Sequence, residues 1–101
     1  MTSYATSISG KSSRLTDERW SHITEEHEEV AGMRKEVLET ISNPERILLG
    51  GDGELLALRE VTEGKYLMTV YKELSEDGFI ITAFLTRRIK RLERRRQIWP
   101  F

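Results

Sequence analysis

Between residues 16 and 44 the apolar residues recur at helical spacing. The first stripe consists of Trp20 and the residues three, seven and ten positions after it, which are Ile23, His27 and Val30. A second helix is predicted after Gly32, and its buried face would consist of Met33, Val37, Leu38 and Ile41. Asn43 precedes Pro44 and avoids the helical conformation, so this second helix ends there. The pattern therefore predicts two consecutive helices.

After the glycine-rich segment 50–53 the pattern changes to that of extended chain. Three apolar runs follow, at Glu54–Val61, Tyr66–Leu74 and Phe79–Leu85. The segments 62–65 and 75–78 between them are rich in turn residues, which predicts antiparallel hairpins. Ile47–Leu49 would add a short edge strand. We therefore expect an α+β domain in which two N-terminal helices lead into an antiparallel meander of three or four strands.

The lengths of the hairpin loops predict which strand residues share a face of the sheet. With loops of four residues the pairs at the loop ends are Val61 with Tyr66 and Glu73 with Gly78. Arg59 and Lys72 then lie on one face, as cations within otherwise hydrophobic strands. A slip of one residue in either loop would change the cross-strand neighbours.

The basic residues are concentrated near the end of the chain. Seven of the sixteen lie within ten positions, and they are Arg87, Arg88, Lys90, Arg91, Arg94, Arg95 and Arg96. With Glu93 this segment carries a net charge of +6, whereas nine basic and sixteen acidic residues give the rest −7. Ile89, Leu92 and Trp99 share a stripe, so a closing basic helix is predicted. Such a segment attracts polyanions, with nucleic acid considered first, ahead of an acidic protein or an anionic membrane surface. A solvated helix face is the alternative.

Composition narrows the classes of protein and of site. A chain of 101 residues forms one domain, and none of its stretches approaches the roughly 20 apolar residues that span a bilayer. The absence of cysteine excludes disulfides and thiolate sites and fits the cytoplasm. His22 and His27 are five residues apart and cannot share a metal as an i, i+4 pair would, so neither metal nor cofactor is expected. Residues 1–14, rich in Ser and Thr, are expected to form a disordered tail before a domain over residues 15–101.

Cleavage of RNA by its own 2′-hydroxyl would give a role to the ionisable residues within these apolar patterns. His27 could accept or donate the proton, although a buried structural histidine is the alternative at a core-facing helix position. Arg59 and Lys72 could stabilise the charge that develops on the phosphorane. The hydroxyls that could position the phosphate belong to Tyr71, Thr82 and Thr86. This chemistry requires no metal.

Short motifs along most of the chain carry a family resemblance. The segment Trp20–Glu29 resembles the Trp-x-His-Ile…His-Pro-Glu start of small phage- and genome-encoded proteins of an RNase superfamily. The further matching segments are 37–45, 58–59, 66–72, 79–86, 88–90 and 98–100. The superfamily groups barnase-like, EndoU-like, colicin-type and RelE-like folds. Two positions depart from its pattern, because Glu28 stands where the family often has proline and Leu92-Glu93 replaces a usual Gly-Glu turn.

The resemblance implies a RelE/barnase-like fold and a small metal-independent endoribonuclease of a toxin or mobile-element type, or its inactive relic. The functional positions it implies are His27, Arg59, Lys72, Thr82 and Thr86. We therefore expect the histidine and the two cations to converge on one cleft.

Two other functions remain compatible with the sequence. The first is a non-catalytic module that binds RNA or DNA through the basic segment, with Tyr71, Trp99 or Phe101 as stacking groups. The second is a protein-interaction module, in which the basic segment docks an acidic partner such as an antitoxin or an inhibitor. The sequence leaves the oligomeric state open.

Overall fold

A seven-stranded mixed sheet forms the body of the computed structural model, which describes all 101 residues. The elements in chain order are β1 (Ser3–Thr6), β2 (Ser12–Leu15), α1 (Asp17–Glu26), a 3-10 turn (Glu28–Val30), α2 (Arg34–Ser42), β3 (Arg46–Leu49), β4 (Leu55–Thr62), β5 (Lys65–Glu73), β6 (Asp77–Thr86), α3 (Ile89–Leu92) and β7 (Gln97–Trp99). The strand order across the sheet is β1-β2-β6-β5-β4-β3-β7. Only β2 and β6 pair in parallel. None of the helices is long and apolar enough to cross a membrane.

The chain is an α+β domain, but the arrangement predicted from the sequence is wrong. Two strands precede the helices, and β3 to β6 are four of seven strands rather than the whole sheet. The predicted C-terminal basic helix is a single turn, α3, after which β7 pairs with β3. The additional strands have only three or four residues each. Such short strands leave too little periodicity to be recognised in the sequence.

The N-terminal segment forms a β-hairpin where the sequence predicts a disordered tail over residues 1–14. β1 pairs with β2, and residues 12–14 of β2 pair with residues 77–79 of β6, about 65 positions later in the chain. Ala5 and Leu15 are buried against the core. The hydroxyls of Ser7 and Ser9 each donate to the carboxylate of Glu73 at 2.7 Å. The polar composition of the segment is thus compensated by contacts with a distant strand.

The main hydrophobic core lies on the face of the sheet that α1, the 3-10 turn and α2 cover, which we call the helix face. Its buried helical side chains are Ile23, Val30, Val37 and Ile41, and they pack on Ala57, Leu67, Tyr71, Ile80 and Ala83. The Thr16 hydroxyl caps α1 by accepting a hydrogen bond from the amide of Arg19 at 3.0 Å. The Thr69 hydroxyl donates to the carbonyl of Val37 at 3.0 Å and so ties α2 to the sheet.

Shortening a side chain in this core is expected to destabilise the fold. Leu67 of β5 is fully buried, and Leu67→Ala should lower the free energy of unfolding by about 2–5 kcal/mol, because a cavity remains where the methyl groups were. Urea titration followed by circular dichroism measures this change. Val61→Ala, at an exposed position of β4, is the control and should change stability by less than about 0.5 kcal/mol. Equal effects of the two substitutions would contradict the placement of this core.

The opposite face, which we call the open face, is covered by fewer helical residues than the helix face. Its buried cluster consists of Leu48, Leu56, Leu58, Met68 and Val70. Ile89 and Leu92 of α3 pack on that cluster, whereas α1 and α2 belong to the helix face. Phe79, Ile81 and Phe84 of β6 are therefore only partly buried on or beside the open face.

The observed register separates the two cations that the sequence places on one face. Thr62 pairs with Lys65 across the turn Glu63-Gly64, in which Gly64 has a φ of 74°. A bulge between Glu60 and Thr62 then shifts the register by one residue, so that Tyr66 pairs with Glu60 instead of Val61. The pairing of Glu73 with Gly78 is confirmed. Arg59 consequently lies on the helix face and Lys72 on the open face.

Candidate functional site

His27 lies at the end of α1, beside β6, and not in the interior of the core. Its amide closes α1 by donating to the carbonyl of Ile23, and its side chain is 32% exposed. The imidazole ring lies 5.5 Å from the ring of Phe84, measured between centroids. Its Nδ1 is 3.6 Å from the Glu29 carboxylate, so the two form an ion pair when the imidazole is protonated. His27 is thus held from two sides and remains accessible.

A cavity of about 360 Å³ opens beside His27. Its polar lining comes from Arg19, His22, Glu26, His27 and Thr82. Two histidines, an arginine, a carboxylate and a hydroxyl therefore share one site, which we call the histidine cavity. Residues five apart lie about 140° around a continuous helix, so His22 and His27 would be on different sides if α1 extended through both. The helix ends after Glu26, and His27 turns back toward the cavity that His22 also lines.

Arg59 lies in a different cavity, of about 350 Å³, between α2 and β4. Its guanidinium is 3.8 Å from the carboxylate of Glu39, and Glu36 and Glu60 also line this cavity. Three carboxylates repel an anionic ligand. The position of Arg59 is explained by its ion pair, without a role in binding phosphate.

Lys72 lines neither of these cavities. It lies on the open face opposite Phe79, whereas Arg59 lies opposite Leu67 on the helix face. Leu67 and Lys72 are five positions apart in β5, which corresponds to about 17 Å along the strand. The expected convergence of His27, Arg59 and Lys72 on one cleft is therefore not found.

The hydroxyl residues predicted for the site also separate. Thr82 lines the histidine cavity. Thr86 ends β6, where its hydroxyl accepts a hydrogen bond from the amide of Arg88 at 3.0 Å. Tyr71 is fully buried, so it cannot stack on a base, and its burial raises the pKa of the phenol. Of the other proposed stacking groups, Trp99 packs against the main core and Phe101 is exposed.

The basic segment Arg87–Arg96 crosses the open face from the end of β6 to the end of β3, where the amide of Leu49 donates to the carbonyl of Arg96 at 2.8 Å. Ile89 and Leu92 anchor it on the sheet. Its seven cationic residues are all exposed, and none lies within 4.0 Å of a carboxylate. Its one acidic residue, Glu93, pairs instead with Arg46 at 3.9 Å. The segment thus carries unpaired positive charges on a backbone that Ile89 and Leu92 hold against the sheet.

Part of this charge surrounds a concave surface. A cavity of about 420 Å³ is lined by Arg87, Arg88, Ile89, Lys90 and Arg91. Arg87 also donates to the carbonyl of Glu63 at 3.2 Å, which fixes one side of the cavity. Four cations around one concavity form a surface suited to an anion such as a phosphate group.

No metal centre and no family relationship add to this description. Groups of three or more histidine, aspartate or glutamate side chains that could hold a metal ion are absent. Comparisons with protein-family models, with curated proteins and with solved structures find no match to this chain. A functional conclusion therefore has to rest on the geometry and charge of the two surfaces described above.

Proposed function

We propose that this protein binds RNA and that its basic segment contacts the phosphate backbone. The observation that carries the proposal is the set of seven exposed cations without a carboxylate partner, concentrated within ten residues. Their mutual repulsion is relieved when a polyanion binds and neutralises them. The remainder of the chain is acidic, so it does not supply a general attraction for RNA elsewhere.

The chemistry of the segment supports phosphate as the bound group. Six of its seven cations are arginines, whose planar guanidinium groups can bind phosphate oxygens through two parallel hydrogen bonds. Ile89 and Leu92 hold the backbone against the sheet, which lowers the entropy that the segment loses on binding. Contacts of this kind position a strand without reading its sequence.

Salt dependence of binding tests this proposal. Each phosphate contact on a single strand contributes about −0.7 to the slope of log K against log salt concentration, so four to seven contacts give a slope of about −3 to −5. Filter binding of a labelled oligouridylate of 12 nucleotides, at several salt concentrations from 50 to 300 mM, measures it. A slope near zero, or no binding at 50 mM salt, would contradict the proposal.

Cleavage of the bound RNA is a second candidate function, favoured by the shared lining of the histidine cavity. One neutral imidazole, of His22 or His27, would accept the proton of the 2′-hydroxyl while its oxygen forms a bond to phosphorus. The other imidazole, as imidazolium, would donate a proton to the 5′-oxygen as the phosphorus–oxygen bond breaks. Arg19 would stabilise the charge on the phosphorane, and Thr82 would donate a hydrogen bond to a phosphate oxygen.

The products of this reaction identify it. An RNA with a 5′ label, incubated with the protein in the presence of a chelator, should yield fragments that end in a 2′,3′-cyclic phosphate. An RNA whose 2′-hydroxyls are methylated should remain intact, because the nucleophile is blocked. Intact RNA in both samples would leave the protein as a binding module.

A further inference from the structure

A row of alternating aromatic and cationic side chains crosses the open face at a distance from α3. The register places Tyr4 of β1 opposite Arg14 of β2, Arg14 opposite Phe79 of β6, and Phe79 opposite Lys72 of β5. Residues paired across strands share a face, so the four side chains form one line. Three strand spacings of about 4.8 Å give this line a length of about 14 Å. We call it the stacking row.

The side chains of the stacking row are accessible. Tyr4 is 64% exposed although it is a large aromatic residue within a strand. The Arg14 guanidinium carbon lies 5.9 Å from the centroid of the Phe79 ring, and the side chain is 43% exposed. Asp77 holds this guanidinium through an ion pair of 2.9 Å. A planar cation is thus fixed beside one aromatic ring, with a second aromatic side chain in the next strand.

We propose that the stacking row is a platform on which single-stranded RNA lays its bases, an inference that rests on the RNA binding proposed above. Bases stack on aromatic rings and on guanidinium planes, and such stacking tolerates any base sequence. Lys72 at the inner end of the row can contact a phosphate. A duplex keeps its bases stacked on one another, so the row selects unpaired RNA.

The basic segment continues this platform across the sheet. Arg96 is hydrogen bonded to Leu49 of β3. Leu49 lies opposite Leu55 of β4, and Leu55 lies opposite Tyr71 of β5, which is the residue before Lys72. Two strand spacings, about 10 Å, separate β5 from β3. One strand of RNA can therefore extend from Tyr4 to the end of the basic segment, perpendicular to the β-strands.

Between Lys72 and the basic segment the surface suits a base better than a phosphate. A cavity of about 340 Å³ lies there, and its apolar lining comes from Leu56, Met68, Val70, Phe84 and Leu92. Asp52 and Glu54 border the same cavity and disfavour a phosphate inside it, whereas Arg95 lines it from the basic segment. The phosphates are therefore directed to Lys72 on one side and to the arginines on the other.

The variant Tyr4→Ala tests the platform, with Val61→Ala as the control. Both residues are exposed and apolar, but Val61 lines the acidic cavity of Arg59, away from the proposed RNA path. Tyr4→Ala is expected to weaken binding of a 12-nucleotide oligouridylate about 5- to 150-fold, the usual contribution of one stacked base. The salt slope should stay unchanged, because the phosphate contacts remain. Val61→Ala and the stacking-preserving Tyr4→Phe should bind as the unmodified protein does.

The outcomes separate this inference from RNA binding itself. A loss confined to Tyr4→Ala and to the single strand, with no change for a 12-base-pair RNA duplex, supports the platform. Undiminished binding by Tyr4→Ala, an equal loss for the duplex, or an equal loss in Tyr4→Phe or Val61→Ala overturns the platform and leaves RNA binding in place. If the unmodified protein binds neither oligonucleotide at 50 mM salt, both proposals fail. Thermal melts of the variants verify that the fold is retained.

Discussion

Replacement of Arg94, Arg95 and Arg96 by glutamine is expected to flatten the salt dependence of RNA binding by about two units of slope, if all three contact phosphates. Three contacts at about 0.7 each account for the change, which corresponds to about 100-fold weaker binding at 0.1 M salt. The loss should be similar for different RNA sequences, because phosphate contacts do not read bases. Filter binding at several salt concentrations measures both quantities. The three side chains are exposed, so the fold should not change.

A lysine outside the basic segment provides the control for this experiment. Lys35 of α2 is 83% exposed, and α2 belongs to the helix face, away from the proposed RNA path. Lys35→Gln removes one positive charge and should leave the slope unchanged. An unchanged slope in the triple variant would mean that the three arginines face solvent or an acidic protein. Loss of binding to an acidic partner in the triple variant, with RNA binding intact, would then support the protein-interaction function.

His27→Ala is expected to reduce RNA cleavage by about 10²- to 10⁴-fold, the usual contribution of a general acid or base. His22→Ala should have an effect of the same order, because each imidazole transfers one proton in the proposed reaction. Initial rates with labelled RNA at saturating concentration measure the change. Both histidines are partly exposed, so thermal melts of the variants should stay close to that of the unmodified protein.

Arg59→Gln distinguishes the observed site from the one predicted by the sequence. Arg59 lies in a separate cavity and pairs with Glu39, so its replacement should leave the cleavage rate unchanged. A loss of cleavage in Arg59→Gln as large as in His27→Ala would restore the predicted catalytic set. Cleavage that survives in His27→Ala would remove His27 from the mechanism, and a large fall in its melting temperature would identify a structural histidine instead.

Periodicity was sufficient to predict the central elements of this fold and insufficient at both ends of the chain. α1, α2 and strands β4 to β6 have long apolar patterns, and their positions follow from the sequence within a few residues. The strands β1, β2 and β7 are short, and β2 is stabilised by pairing with β6 rather than by its own composition. A pattern within one segment does not report a partner about 65 positions away.

The residues that come together in the candidate site are determined by the register of the strands and by the exact end of α1, which periodicity does not show. Thr82 and His27 share a cavity, but Lys72 and Arg59 are on opposite faces because a bulge between Glu60 and Thr62 shifts the register by one residue. One residue of slip moves every side chain of a strand to the other face. His22 was missed because the end of α1 one residue before His27 has no strong stop signal such as proline or glycine.

The parallel pairing of β2 with β6 also determines the order in which the chain can fold. β3 to β6 pair with their neighbours in sequence, so these contacts close short loops and can form early. The N-terminal hairpin also closes a short loop, but it can dock on the sheet only after β6 has formed. Docking of this hairpin completes the stacking row, because it brings Arg14 beside Phe79 and Tyr4 into the next strand. The proposed platform for unpaired RNA is therefore complete only once β6 has formed and the hairpin has docked on it.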